Sequence, residues 1–208
     1  MSLAPRILVS GFGPFPGVPD NPAGRIVRLL RDRAWRPDGA DLAWALLPTT
    51  WDGAVATLSE AIEAARPDAV LAVGVATGAE GFRVETLAHN RIAAERTDAA
   101  GAVHPAGPID ANGPPFVSST APTAAMVGAI GDAGLVAALS NDAGDYLCNF
   151  VFYRLLTEIA AGRPAGFLHI PPSGHGVSGL PLEALALGVR AAVAAFAADL
   201  SRPRPAAA

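Results

Sequence analysis

The stretch Asp52–Gly74, DGAVATLSEAIEAARPDAVLAVG, reads as a helix, a turn and a buried strand in succession. Val55, Leu58 and Ile62 share one helical face, with Asp52 placed to cap the first turn and Ala65 near the end. Pro67-Asp68 makes the turn. Ala69-Val70-Leu71-Ala72-Val73 is then an apolar run with no polar alternation, ending at Gly74, as expected of a parallel strand covered on both faces. Upstream, Arg6–Ser10 (RILVS) and Asp41–Leu47 (DLAWALL) carry strand signatures, and Gly24–Leu30 has helical spacing. Strands and helices alternating at these intervals need crossover connections, which makes the fold α/β.

Beyond Gly74 the pattern weakens and then returns. Gly74–Asn90 follows a strand end, where open α/β sheets bind ligands. Arg91–Pro115 is rich in Gly, Pro, Asp and Ala, the composition of a lid or binding loop. His104 lies there as an ordinary loop histidine. Phe116–Thr120 reads as a short edge strand, and Pro122 opens a helix to about Ala133. Gly134–Leu139 reads as a buried strand. After the turn cluster Asn141–Asp145 comes a helix with Val151, Leu155, Leu156 and Ile159 on one side. Ala165–Ile170 is a last strand, closed by Pro171-Pro172. Leu182–Leu200 is an alanine-rich helix with a stripe of Leu185, Val189, Val193 and Phe196. With no repeat and no linker, residues 1–200 are expected to form one domain, and 201–208 a frayed tail.

Composition narrows the function. The chain has 208 residues, 51% of them apolar, yet no uninterrupted apolar run of about 18 residues that would span a membrane. Its start enters a strand without the h-region of a signal peptide, which suits a cytoplasmic protein. A net charge of −4, with arginine supplying all fifteen basic residues, gives no reason to expect nucleic acid. The single cysteine cannot form an internal disulfide, consistent with a reducing compartment.

That cysteine, Cys148, falls in the first turn of the helix after Asp145. Free amides and the helix dipole there favour a thiolate. The competing reading is a buried cysteine acting as a small apolar side chain. A nucleophilic role needs an imidazole and a group to orient it. His169 near a strand's end and Glu80 or Glu85 beyond another strand are the candidates, although a histidine in an apolar segment is commonly a core residue. Rival chemistries fare worse. A metal site would need ligands at paired spacing, whereas His169 and His175 stand six apart and no His-Glu-x-x-His occurs. The turn Gly11–Gly17 lacks the third glycine of a dinucleotide fingerprint, because Pro16 stands there. Its Phe12 and Phe15 suit a flat, uncharged group, or else fold back onto the core.

Taken together, four stretches resemble the pyroglutamyl peptidase family of cysteine peptidases, which remove N-terminal 5-oxoproline from peptides. ILVSGFGPFPG with Asn21-Pro22 resembles its first strand and loop. Gly74, Ala76, Gly78, Glu85, Ala88 and Asn90 fall in step with its glutamate motif. SNDAGDYLCNFVFY resembles its nucleophile motif, and GFLHIP its histidine motif. The resemblance implies a three-layer α/β/α sandwich around a mixed, mostly parallel sheet. It implies Cys148 as nucleophile, His169 as general base and Glu85, rather than Glu80, as the orienting group. It places Phe12, Phe15, Asn21 and Val75 at the substrate, with no cofactor or metal, and implies a dimer or tetramer. A different small acyl amide, or silent binding of pyroglutamate, are the alternatives.

Four positions depart from the family pattern. Ala79 and Thr86 stand where it has arginines, His89 replaces an apolar residue, and Asp142 replaces a serine. Fewer cations and an added carboxylate oppose a thiolate. Arg83 and Arg91 are the cations placed to compensate.

Overall fold

The computed structural model describes residues 4–15, 17–93, 96–174 and 179–202. Pro16, His175 and the tail from residue 203 lie outside the described residues, as does the start, 1–3. Strands β1 (Arg6–Phe12), β2 (Asp41–Leu47) and β3 (Ala69–Val75) alternate with helices α1 (Pro22–Asp32) and α2 (Trp51–Ala65). The chain continues through β4 (Phe82–Glu85), β5 (Leu87–His89), β6 (Phe116–Ser118), α3 (Thr123–Asp132) and β7 (Ala137–Ser140). It closes with α4 (Leu147–Arg154), β8 (Ala165–Ile170) and α5 (Leu182–Leu200).

Six strands pair in the order β2-β1-β3-β8-β4-β7. The first four are parallel; β4 runs antiparallel to β8, and β7 follows β4. The expected mixed, mostly parallel sheet is therefore present. Because β3 is central, its successive side chains feed two cores. Leu71 and Val73 pack with Leu168, Ile26, Ile130 and Val189 of α1, α3 and α5. Val70 and Ala72 pack with Phe167, Leu58 and Val151 on the side of α2 and α4. Two covered faces explain the lack of polar alternation in this strand, and complete the α/β/α sandwich.

Several local readings change. Both β1 and β3 run on past their expected ends, through Gly11 and Gly74. A Cβ on Gly11 would stand 2.6 Å from the Ala23 carbonyl oxygen, so glycine lets α1 start against the strand backbone. Asp52 is not the cap of α2. Thr50 holds that position, and the Trp51 N–H donates to Asp98 Oδ2 at 3.1 Å, from the long loop. The segment after Gly74, expected only to follow a strand end, contains β4 and β5. Phe116–Ser118 pairs with β5 in a separate two-stranded sheet. Gly134–Leu139 is not a buried strand: β7 begins at Ala137 on the sheet edge, with Val136 72% and Leu139 53% exposed. Finally, α4 passes into a π-helical turn, Leu155–Ile159. Among the described residues no helix is long and apolar enough to cross a membrane.

Candidate active site

Tyr146 caps α4, so Cys148 is the second residue of the helix. The Phe150 N–H reaches back to the Tyr146 carbonyl at 3.0 Å, leaving the earlier amides of the first turn outside the helical ladder. They aim positive partial charge at the place where the sulfur sits. The sulfur lies over β3. A Cβ on Gly74 would stand 2.9 Å from Cys148 Sγ and 2.9 Å from Phe167 Cζ, so only glycine leaves room for the thiol there.

His169 on β8 is the register partner of Gly74, which sets the imidazole beside the sulfur. Its Nδ1 donates to Glu85 Oε1 at 2.7 Å, so Nε2 is the ring nitrogen that Glu85 does not engage. Glu85 follows the end of β3 in the chain, as expected, but lies in a further strand. It is the last residue of β4, opposite Phe167 and wholly buried, while His169 is 5% exposed. Glu85 Oε2 has no hydrogen-bond partner among the described residues. Burial alone would lower the His169 pKa. The charge and hydrogen bond of Cys148, followed by those of Glu85, outweigh it and raise the imidazole to about 9. Both partners thus favour the protonated ring at neutral pH. Glu80, the other carboxylate weighed, is exposed in the turn before β4 and takes no part.

The register extends this row across the sheet. Gly11 pairs with Val73, which puts Phe12 level with Gly74; Gly74 pairs with His169, and His169 with Arg83. An aromatic ring, a gap filled by sulfur, an imidazole and a guanidinium thus occupy four neighbouring strands on one face. Phe12, Cys148, His169 and Arg83 all line one cleft of about 350 Å³, together with Phe15, Val75, Thr49 and Asn21. Phe12 is buried, its ring centre 6.4 Å from that of Phe167. Phe15 is half-buried on a short bridge with Val18. Asn21 forms part of the wall, but both ends of its amide serve the chain. Its Nδ2 donates to Gly13 O at 2.8 Å and its Oδ1 accepts the Ala23 N–H at 3.1 Å, capping α1.

Residues given no place at the site from the sequence complete the cleft: Thr49, Thr77, Arg96 and Tyr146, joined by Arg83, which was expected only as a compensating cation. Tyr146 donates its hydroxyl to Thr97 O at 2.8 Å and meets Trp51 edge-on. Tyrosine between a turn cluster and a cysteine was the available signal. His104 packs against Trp51 and Phe150 and does not line the cleft. Asn149 is buried and clamps β5 to α4, accepting the His89 N–H at 2.8 Å and donating to His89 O and Arg91 O.

Three of the four departures converge on the loop before Cys148. Thr86 Oγ1 donates to Ser140 O at 2.8 Å, and His89 Nε2 bonds Asn141 O at 2.7 Å. Arg91 pairs with Asp142 at 2.8 Å, so Arg91 rather than Arg83 compensates the added carboxylate. Partial burial works to raise the Asp142 pKa, but the Gly144 N–H, Arg91 and His89 hold it below the usual carboxylate range. Ala79, the fourth, is buried where a long cation would not fit without rearrangement.

Comparison with known proteins agrees with this geometry. The family model described as pyroglutamyl peptidase matches residues 5–199. A pyrrolidone-carboxylate peptidase of Streptococcus pyogenes is 38% identical over 169 residues, covering 80% of this chain and 77% of the relative. One from Streptomyces coelicolor is 37% identical over 201 residues, covering 92% of each. The crystal structure of pyroglutamyl peptidase I from Bacillus amyloliquefaciens superposes with a TM-score of 0.87 at 28% identity, over 94% of this chain and 96% of that one. On the match over nearly its whole length, the chain belongs to the pyroglutamyl peptidase family.

Proposed function

We propose that this chain is a cysteine exopeptidase removing N-terminal pyroglutamate, with Cys148 as nucleophile, His169 as acid–base partner and Glu85 as the orienting carboxylate. The observation that carries the assignment is the buried Glu85–His169 hydrogen bond beside a sulfur at a helix start, seated over Gly74, the register partner of His169, in one shared cleft. The thiolate of Cys148 attacks the carbonyl carbon that joins 5-oxoproline to the peptide. The oxygen gains negative charge beside the first-turn amides of α4, which stabilise it. As the C–N bond breaks, the departing amine takes the Nε2 proton of His169, leaving a thioester on the enzyme. His169 then removes a proton from water, which attacks the thioester and releases free 5-oxoproline.

Phe12, Phe15 and Val75 form the lactam-binding wall, with Asn21 holding its loop in place. Pyroglutamate carries no charge, so apolar walls with few polar contacts suit it. Self-association as a dimer or tetramer, and a cytoplasmic location, belong to the same reading. Sedimentation and cell fractionation test them. The activity itself is tested with a pyroglutamyl coumarin amide. Steady hydrolysis is expected, falling by on the order of 10³-fold or more in Cys148→Ala. Binding of 5-oxoproline without any turnover would sink the assignment.

A further inference from the structure

We propose that Arg83 recognises a carboxylate on the departing side of the scissile amide, so that this chain prefers pyroglutamyl peptides bearing an acid immediately beyond the lactam. The inference rests on the cleavage assigned above and concerns which leaving group is favoured. The sheet order gives the cleft a direction. The lactam wall stands over β1, the sulfur over β3 and the proton donor on β8, so the amine departs toward β4. Arg83 is the next residue in that row, the direct partner of His169, one strand spacing of about 4.8 Å further on. A C-terminal carboxylate begins two bonds past the departing nitrogen, within that step. An aspartate or glutamate side chain at the same residue also reaches it.

The chemistry of Arg83 supports this. It is the one exposed residue of β4, between neighbours buried on both sides, and it lines the cleft. Among the described residues its guanidinium has neither an ion pair nor a side-chain hydrogen bond. Besides the His169 imidazole, the other charged groups on the cleft wall are Arg96, Asp142 and Asp145. Asp142 is taken by Arg91 at 2.8 Å, and Arg96 lies over the Tyr146 ring at 5.7 Å. Arg83 is therefore a cation held beside the reacting centre with its planar fork available to a carboxylate.

The test compares matched pairs by kcat/KM: pyroglutamyl-alanine against its amide, and pyroglutamyl-glutamate amide against pyroglutamyl-glutamine amide. The first pair reads a terminal carboxylate and the second a side-chain one. At least one acid-to-neutral ratio is expected to be roughly tenfold, the scale of one charge-assisted contact at a partly wet site. It should shrink with salt, collapse toward unity in Arg83→Gln and survive in part in Arg83→Lys. A purely structural Arg83 would lower both members of a pair together and leave the ratio intact, which overturns the proposal. Ratios near unity in the unaltered enzyme overturn it too. The same pairs measured by calorimetric binding to Cys148→Ala separate the two readings. An acid preference in binding without turnover in the parent removes the cleavage assignment alone. Turnover without an acid preference removes the role of Arg83 alone.

Discussion

Two of the carboxylates around Cys148, the proposed nucleophile, are each joined to a cation at nearly the same distance. Glu85 meets His169 at 2.7 Å and Asp142 meets Arg91 at 2.8 Å. Their surroundings are opposite: the side chains of the first pair are 0% and 7% exposed, those of the second 56% and 50%. Water and salt screen the outer pair, so its two charges nearly cancel at little cost or benefit, about 0–1 kcal/mol. Nothing comparable screens the inner pair, where losing one partner strands the other at a cost of roughly 3–5 kcal/mol. Contact length is thus a poor guide to leverage. On the proposed mechanism, the inner pair sets the protonation of the His169 ring, while the outer one balances the extra carboxylate of Asp142.

The inner pair supplies the largest expected effect. Glu85→Gln keeps the shape of the side chain but removes the charge that orients and supports the imidazolium. A fall in kcat on the order of 10²–10⁴-fold is expected. The pH profile moves as well. With His169 raised to about 9, kcat/KM of the parent should decline as pH rises through that value, because the amine then lacks its proton donor. Glu85 contributes part of that elevation, so in Glu85→Gln the alkaline limb moves to lower pH. The same linkage reaches stability. A raised imidazole pKa favours the folded state fully below about 6.5, its unfolded value, and that contribution fades as pH rises toward 9. A variant with near-normal kcat and an unmoved alkaline limb would remove Glu85 from the role given to it.

An intermediate effect is expected from the floor of the inner site. Gly74→Ala introduces a methyl 2.9 Å from both the sulfur and the Phe167 ring. The side chains must shift, and a displacement of under an ångström or so in a near-attack geometry costs up to about 10²-fold in kcat. Overpacking should remove about 1–3 kcal/mol of stability, read by denaturant unfolding. Unchanged kinetics would mean that the sulfur reacts from another position.

Some of this was legible in the chain and some was not, for identifiable reasons. The strand Ala165–Ile170 and helix Leu182–Leu200 have the bounds read from their apolar runs, because Pro and Gly punctuate both. Cys148 at a helix start was legible from the turn cluster before it. β4 was not, since it has four residues and only Phe82 and Val84 are apolar. Glu85 reads as a surface residue until β8 and β7 are placed on either side of it. Val136 and Leu139 look buried by composition, yet sheet order leaves them at an edge. The cap of α2 comes from Asp98, a long-range contact that no local pattern encodes. The transverse row Phe12, Gly74, His169, Arg83 likewise exists only once strand register is known. Family likeness pointed in advance to three residues that the fold brings together, Cys148, His169 and Glu85, but could not choose between Arg83 and Arg91 as partner of Asp142.

The smallest expected effect belongs to the outer pair. Arg91→Ala leaves Asp142 without its nearest cation but still in contact with water, so kcat/KM should fall by less than about fivefold, and by less again at high salt. Asp142→Ser, which installs the residue usual in the family, removes the charge while keeping an oxygen for the Gly144 N–H that Asp142 now accepts at 2.9 Å. The turn before Cys148 should therefore survive, and combining the two changes should restore activity toward the parent level, because neither charge remains to be balanced. A loss in Arg91→Ala rivalling that of Glu85→Gln would break the contrast between the pairs. It would mean that the field of an exposed carboxylate reaches the sulfur almost unscreened, and that Arg91 is held there for catalysis rather than for the loop.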